Sequence, residues 1–259
     1  MTYRTLTLEK KGHLAYVSLC RPAEGNVFNQ QALSELAAAA AAINDDPNSY
    51  VAILTGEGDV FCSGWDVSRI ADETPMEWAR RERVLGDSFS FLGRLSRPVV
   101  AAVNGDALSA GLELALACDV RICSENARFG LPETGFGLLP MAGGTQRLPR
   151  VVGRAKALEM VLTGEIIDAA EALRIGLVSK VVPKARLFAE AEALAEEIAH
   201  RGPLAVRYAK EAVQRGVEMP LEQALRFETD LTIILQTTED RAEGVRAFLE
   251  KRDPHFKGR

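Results

Sequence analysis

Three short segments limit the fold of this chain more than any other feature. "YVAILTG" (50–56), "RPVVAAVNG" (97–105) and "DVRICSE" (119–125) are nearly continuous apolar, β-branched runs that end in glycine or a polar turn. A strand that is apolar at successive positions, rather than alternate ones, is buried on both faces. Helical sequence stands beside these runs. "QQALSELAAAAAAIND" is rich in strong helix formers and stops at Pro47. "MEWARRERVLGDSFSFLGRL" reads as helical, and a short helix is expected from Gly111. "HLAYVSLCR" alternates and reads as a further strand. The pattern predicts an α/β chain in which helices cover a sheet.

From Gly143 the character changes to short helices separated by glycines, with "LVSKVVP" as a last strand. Beyond Pro183 the sequence is almost wholly helical. The expected division is a core over 1–195 and a helical region over 196–259.

The chain has 259 residues and a formal net charge of −5. That balance argues against nucleic acid or an anionic membrane as the main partner. Its four cysteines include no C-x-x-C pair, and Cys20, Cys118 and Cys123 are placed in or beside strands. Reduced, buried thiols are expected. The three histidines are scattered, so no metal is expected. No basic segment followed by an apolar stretch opens the chain and no window approaches a membrane span, which predicts a cytoplasmic protein. Neither G-x-G-x-x-G after the first strand nor a Gly-Lys-Ser/Thr phosphate loop is present.

Three segments carry possible chemistry. In "NGDALSAGLELALACDV" one carboxylate, Glu113, stands in an apolar run. A buried carboxylate is costly unless it is neutral, paired or used. The small residues before it sit at a strand-to-helix junction, where backbone N–H groups face outward. The plain alternative is a first-turn acid that complements its own helix dipole. Twenty residues later Glu133 follows Pro132 in a glycine-rich loop, where a solvated acid is the plain alternative. The strand and turn between them return the chain toward the same end of the sheet. Two carboxylates in one apolar pocket raise each other's pKa and suit acid/base work. In "LTGEGDVFCSGWDVSRI", Trp65 is a candidate second source of a backbone N–H, and two such donors make an oxyanion hole. A strand-exit loop is the alternative.

These stretches, with "RPAEGNVFN", "FGLPETGFGLLPMAGGTQRLPRVVG", "LTGEIIDAAEALRIGLVSKVV" and "EKRDPHFKGR", resemble the crotonase (enoyl-CoA hydratase/isomerase) superfamily over essentially the full chain. The resemblance implies a spiral of β-β-α units with a helical C-terminal oligomerisation region, assembled as a homotrimer or homohexamer. It implies an acyl-CoA thioester substrate, with coenzyme A part of the substrate and no separate cofactor. By motif position the oxyanion donors fall on the N–H groups of Trp65 and Ala110, and both hydratase glutamates are matched, by Glu113 and Glu133. Having both points to hydration of a 2-enoyl-CoA or the reverse dehydration, with Glu113 on the water and Glu133 on the C2 proton.

The family places the adenine near the "RPAEGN" loop and the backbone of "SGWD". Asn26, Ser63, Gly64, Asp66, Gly111 and Met141 are therefore the substrate-binding candidates. Ser109-Ala110-Gly111 replaces a frequent glycine triplet, which predicts backbone strain at Ala110. Met141 replaces a glycine and Trp65 a small residue. "GWD", "EMPLEQA" and the C-terminal "EKRDPHFKGR" also resemble the carnitinyl-CoA dehydratase branch. The alternatives are an isomerase or thioester hydrolase working through Glu133 alone, or a non-catalytic acyl-CoA-binding or assembly protein.

Overall fold

The computed structural model describes residues 3–66, 74, 76–77 and 89–259. Most of the helix expected over 76–95 lies outside the described residues, and its far end, Ser90–Gly93, is helical.

Six strands form the main sheet: β1 (Leu6–Lys11), β2 (Leu14–Leu19), β3 (Val51–Gly56), β4 (Val99–Val103), β6 (Val120–Ser124) and β9 (Lys180–Val182), in that spatial order. β1 and β2 form an antiparallel hairpin, and every other pairing is parallel. The continuous apolar runs have the expected cause. In β4, Val99, Ala101 and Val103 face one hydrophobic cluster while Val100 and Ala102 face the other, and all five are buried.

A second, smaller sheet consists of β5 (Ala107–Leu108), β7 (Arg128–Gly130) and β8 (Ile166–Asp168). Single parallel bridges, Phe28 with Trp65 and Cys62 with Ala107, extend it outward. The chain thus gives a long strand to the first sheet, then a short one to the second, then a helix, and repeats. This is the β-β-α spiral. The helices, in chain order, begin with α1 (Gln30–Asn44), α2 (Ser90–Gly93) and α3 (Ala110–Ala117). Then come α4 (Gly144–Val152), α5 (Arg154–Thr163) and α6 (Ala169–Arg174). Asn29 caps α1 through its side chain, which accepts from the Ala32 N–H.

Helix α7 (Leu187–Ala199) lays Leu187, Ala191 and Ala195 on the second face of the sheet, against Val51, Ile53, Val100 and Ile122. The boundary expected at 195/196 falls inside this helix. Three helices follow: α8 (Pro203–Gly216), α9 (Leu221–Gln236) and α10 (Glu239–Glu250). They are poorly buried. Leu231 is the one buried residue of α9, whereas Leu221, Leu225, Ile233 and Ile234 are exposed. Lys210 of α8 is tied to the body: its ammonium donates to Asp119 (2.7 Å) and to the Arg97 carbonyl (2.9 Å). Beneath α8 runs a groove of about 1,130 Å³, walled by Leu116, Val151, Leu194 and Val213.

Cys62, Cys118 and Cys123 are buried free thiols, and Cys20 is half-buried. Cys118 closes α3 rather than standing at a strand edge, because the apolar run from 112 continues as helix up to it. Among the described residues no helix is long and apolar enough to cross a membrane.

Candidate active site

The parallel pairing of β5 with β7 aligns Leu108 with Gly130, so both chains leave the second sheet at the same end. One continues into α3, the other into the 3-10 turn Pro132–Phe136. Ser109 N–H donates to the Gly130 carbonyl at 2.9 Å and keeps the two exits side by side. This places Glu113 and Glu133 together, as the path between them predicts.

All eight residues of α3 are buried, and Glu113 is 0% exposed. Its carboxylate does not serve its own helix. Oε1 accepts from the Ala142 N–H (2.7 Å) and the Gly144 N–H (2.8 Å), at the first turn of α4. The N-terminal dipole of a different helix therefore receives this acid. A Cβ at Gly144 would stand 3.0 Å from Oε1 and 2.9 Å from Leu131, so the approach depends on glycine. Among the described residues the other oxygen, Oε2, has no hydrogen-bond partner, and neither has either oxygen of Glu133.

Burial is the main force on both acids. It pushes Glu113 up, with the Glu133 charge adding to the rise and the N–H groups of Gly144 and Ala142 opposing it, to about 7. Burial also raises Glu133, while the nearby Ser109 hydroxyl favours its ionised form without reaching hydrogen-bond geometry. Two buried carboxylates with raised pKa values are suited to holding and exchanging a proton. Among the described residues no group of three His, Cys, Asp or Glu side chains is placed to hold a metal.

The raised pKa has a sign for stability. The folded state holds the Glu113 proton more tightly than the unfolded chain, whose carboxyl titrates at about 4.3. Stability is then lost as pH rises from that value through about 7, and the full cost stands above it. Glu113→Gln keeps the acceptor for Ala142 and Gly144 but carries no charge. Its Tm is expected to exceed that of the parent at about pH 8, and the gap to close at about pH 4.5. A gap of equal size at both pH values contradicts the burial argument.

The other predicted donors lie beside this pair. Cys62 bridges Ala107 in parallel, so Trp65 and Ala110 each stand three residues past the bridge. Gly64 and Asp66 make the backbone bonds to Phe28, which leaves the Trp65 N–H out of that pairing. Ala110 is the first residue of α3, where no intrahelical acceptor exists for its N–H. Neither N–H has a protein acceptor among the described residues.

The strain expected at Ala110 is one residue earlier. Ser109 has φ 52° and ψ −123°, a conformation that glycine adopts freely. The residue at this junction must turn the chain from β5 into the helix, so the torsion falls on the N-cap and leaves Ala110 helical.

The substrate-binding candidates separate into two groups. Gly64 has φ +131°, and a Cβ there would stand 2.9 Å from that of Ser109. At Gly111 a Cβ would lie 2.1 Å from the Cys62 carbonyl oxygen, so α3 rests directly on the neighbouring loop. Met141 precedes the Ala142 N–H that holds Glu113, and Asp66 donates its N–H to Phe28. Asn26 and Ser63, by contrast, spend their side chains on the scaffold. Asn26 is buried, accepts from the Arg21 N–H, and donates to the carbonyls of Glu57 and Val60. The Ser63 hydroxyl donates to the Gly25 carbonyl. Ala142 and Gly144 were not among the candidates; the glycine pair that opens a helix in "PMAGGTQRL" is the signal for them.

The enoyl-CoA hydratase/isomerase family model matches residues 9–259. The crotonyl-CoA hydratase of Syntrophomonas wolfei is 43% identical over 258 residues, 99% of each chain. The (E)-benzylidenesuccinyl-CoA hydratase of Thauera aromatica is 43% identical over 98% of this chain and 99% of its own. The crystal structure of an enoyl-CoA hydratase from Bacillus anthracis superposes with a TM-score of 0.95 at 40% identity, covering 99% of this chain and 100% of that one.

Proposed function

The chain belongs to the enoyl-CoA hydratase/isomerase family, and from that premise we infer how it adds water reversibly to a 2-enoyl-CoA to give a 3-hydroxyacyl-CoA. The observation that carries the reading is the pair of buried glutamates, Glu113 and Glu133: three of their four oxygens have no partner among the described residues, and the charge of Glu133 acts on Glu113. A chemistry that needs one acid alone leaves the other with a buried oxygen that has neither partner nor use, at a cost of about 1–3 kcal/mol.

One carboxyl of the pair is protonated and the other ionised. Ionised Glu113 takes a proton from water as its oxygen bonds to C3. The C2–C3 π electrons move toward the thioester carbonyl, whose oxygen becomes an enolate held by the N–H groups of Trp65 and Ala110. Glu133 delivers its proton to C2 as the enolate collapses. The proton gained by Glu113 and that lost by Glu133 exchange with solvent before the next turnover. Dehydration is the same path reversed. None of these steps calls on a metal or a redox cofactor, and CoA enters and leaves with the substrate.

The reading assigns the acyl-CoA site to the spiral core and oligomerisation to the C-terminal helices, in a cytoplasmic enzyme. The exposed apolar residues of α9 support that division, since large apolar side chains left exposed in this number mark an interface. Light scattering at micromolar concentration is expected to give the mass of a trimer or hexamer; a clean monomer refutes the assignment. The activity itself is tested by loss of the enoyl-thioester absorbance when the protein meets crotonyl-CoA. A panel of longer, dicarboxylic and carnitinyl-type thioesters then ranks the acyl group. No turnover on any member overturns the hydratase reading.

A further inference from the structure

The buried side-chain polar atoms without partners are concentrated at the site. Among the described residues, besides Arg97 Nε, they are Glu113 Oε2, both oxygens of Glu133, and one donor, Trp65 Nε1. A buried indole N–H ordinarily finds an acceptor. This one lies beside Glu113, near enough to favour its ionised form, yet short of hydrogen-bond geometry. An unpaired donor thus stands next to an unpaired acceptor.

The ring is not free to turn elsewhere. It stacks on Phe89 with centroids 5.9 Å apart and planes 16° apart, and it meets Phe28 edge-on at 6.2 Å. Phe28 and Phe89 are themselves packed edge-to-face at 5.1 Å and fully buried. The Trp65 backbone is bridged to Phe28. Three aromatic rings therefore fix the direction of one N–H bond.

We propose that the Trp65 side chain is a positioning residue of the reaction, whose indole N–H holds the free oxygen of Glu113, Oε2, toward the attacking water. The inference rests on the hydratase reading. Oε1 is already pinned by the N–H groups of Ala142 and Gly144, so a bond to Oε2 fixes the plane of the carboxylate. Hydrogen bonds of this kind are commonly loose in the free enzyme and tighten in the complex. The same residue offers its backbone N–H to the enolate oxygen, so a thioester bound there draws on the segment that carries the indole.

Among the described residues the other groups facing Glu113 are few. The Glu133 carboxyl and the Cys62 thiol stand near it. The Arg147 guanidinium donates to the Ala142 carbonyl at 2.7 Å, behind the N–H that binds Oε1. None of these donates to Oε2.

Trp65→Phe keeps an aromatic ring and the backbone N–H and removes the indole donor together with the second ring of the indole. Loss of a hydrogen bond to a charged group predicts a fall in kcat of about 10-fold or more, with KM little changed. It also predicts that the acidic limb of the kcat profile moves to higher pH, because ionised Glu113 loses a partner. The Glu113 titration is read independently, with no substrate, from the carboxyl stretch in infrared difference spectra against Glu113→Gln. It is expected to move upward in Trp65→Phe while Tm stays within a few degrees. If the titration does not move in a folded Trp65→Phe, the indole does not hold Glu113 and the proposal falls, whatever the rate. If it moves while the parent hydrates no thioester, the contact stands and the hydratase reading alone is lost. If Trp65→Phe lowers Tm sharply, Trp65→His, which keeps a ring N–H, decides: restoration of the parent titration supports the bond, and its absence overturns it.

Discussion

Glu113→Gln and Glu133→Gln are each expected to lower kcat/KM for crotonyl-CoA by roughly 10²–10⁴-fold, with little change in thioester binding. Glutamine keeps the volume and, at position 113, still accepts from Ala142 and Gly144. It cannot exchange the proton. In the proposed mechanism the two oxygens of Glu133 and Oε2 of Glu113 handle the reacting water and the C2 hydrogen, and among the described residues they are the only buried carboxylate oxygens without a partner. The double variant is expected to lose far less than the product of the single losses, because groups that act on one water are not additive. An isomerase or hydrolase relying on Glu133 predicts a different set: mild loss in Glu113→Gln, severe loss in Glu133→Gln. A nearly parental rate for Glu113→Gln would falsify the two-acid mechanism and leave Glu113 as a cap for α4.

Ala110→Pro is expected to lower kcat by about 10²-fold or more, by removing one of the two donors to the enolate oxygen. Ala110 opens α3, where proline breaks no intrahelical bond. Ser109 before it, at φ 52° and ψ −123°, is far from the extended backbone that a following proline requires, so the junction must shift to admit the ring. Circular dichroism and Tm accompany the assay, and the rate is read only in a variant that folds. Unchanged turnover in the folded variant would move the oxyanion site elsewhere.

The strands of the main sheet were legible because burial on both faces writes itself as a continuous apolar run, as in Val99–Val103. The helices past Gly143 were legible from glycine spacing and strong helix formers. β5, with two residues, and β7 and β8, with three each, leave no periodicity to read, although they bring the two glutamates together. β1 was missed because its burial is confined to Leu6 and its lysines resemble a loop. The identities of Glu113 and Glu133 could be picked out as odd acids in apolar or glycine-rich surroundings. The partner of Glu113 could not, since the N-terminus of α4 comes near it only in space, some thirty residues on along the chain. The torsion at Ser109 was misplaced by one residue for a similar reason: the sequence shows that a glycine is missing, not which peptide turns.

The bridge between Cys62 and Ala107 has a consequence for how such a site can change over generations. Both proposed enolate donors are counted off from it by equal lengths of chain, and Gly111 leaves no room between α3 and the Cys62 carbonyl. One residue inserted or deleted between bridge and donor puts a different N–H in that donor's place. Substitution leaves the count intact. A lineage built on this arrangement is therefore free to exchange what stands at 65, 109, 133 or 141, and so to drift among acyl groups and reactions. It is barred from altering the spacing of the loops that carry them. The variation to look for among its descendants is in letters, with gaps and insertions displaced to the outer turns.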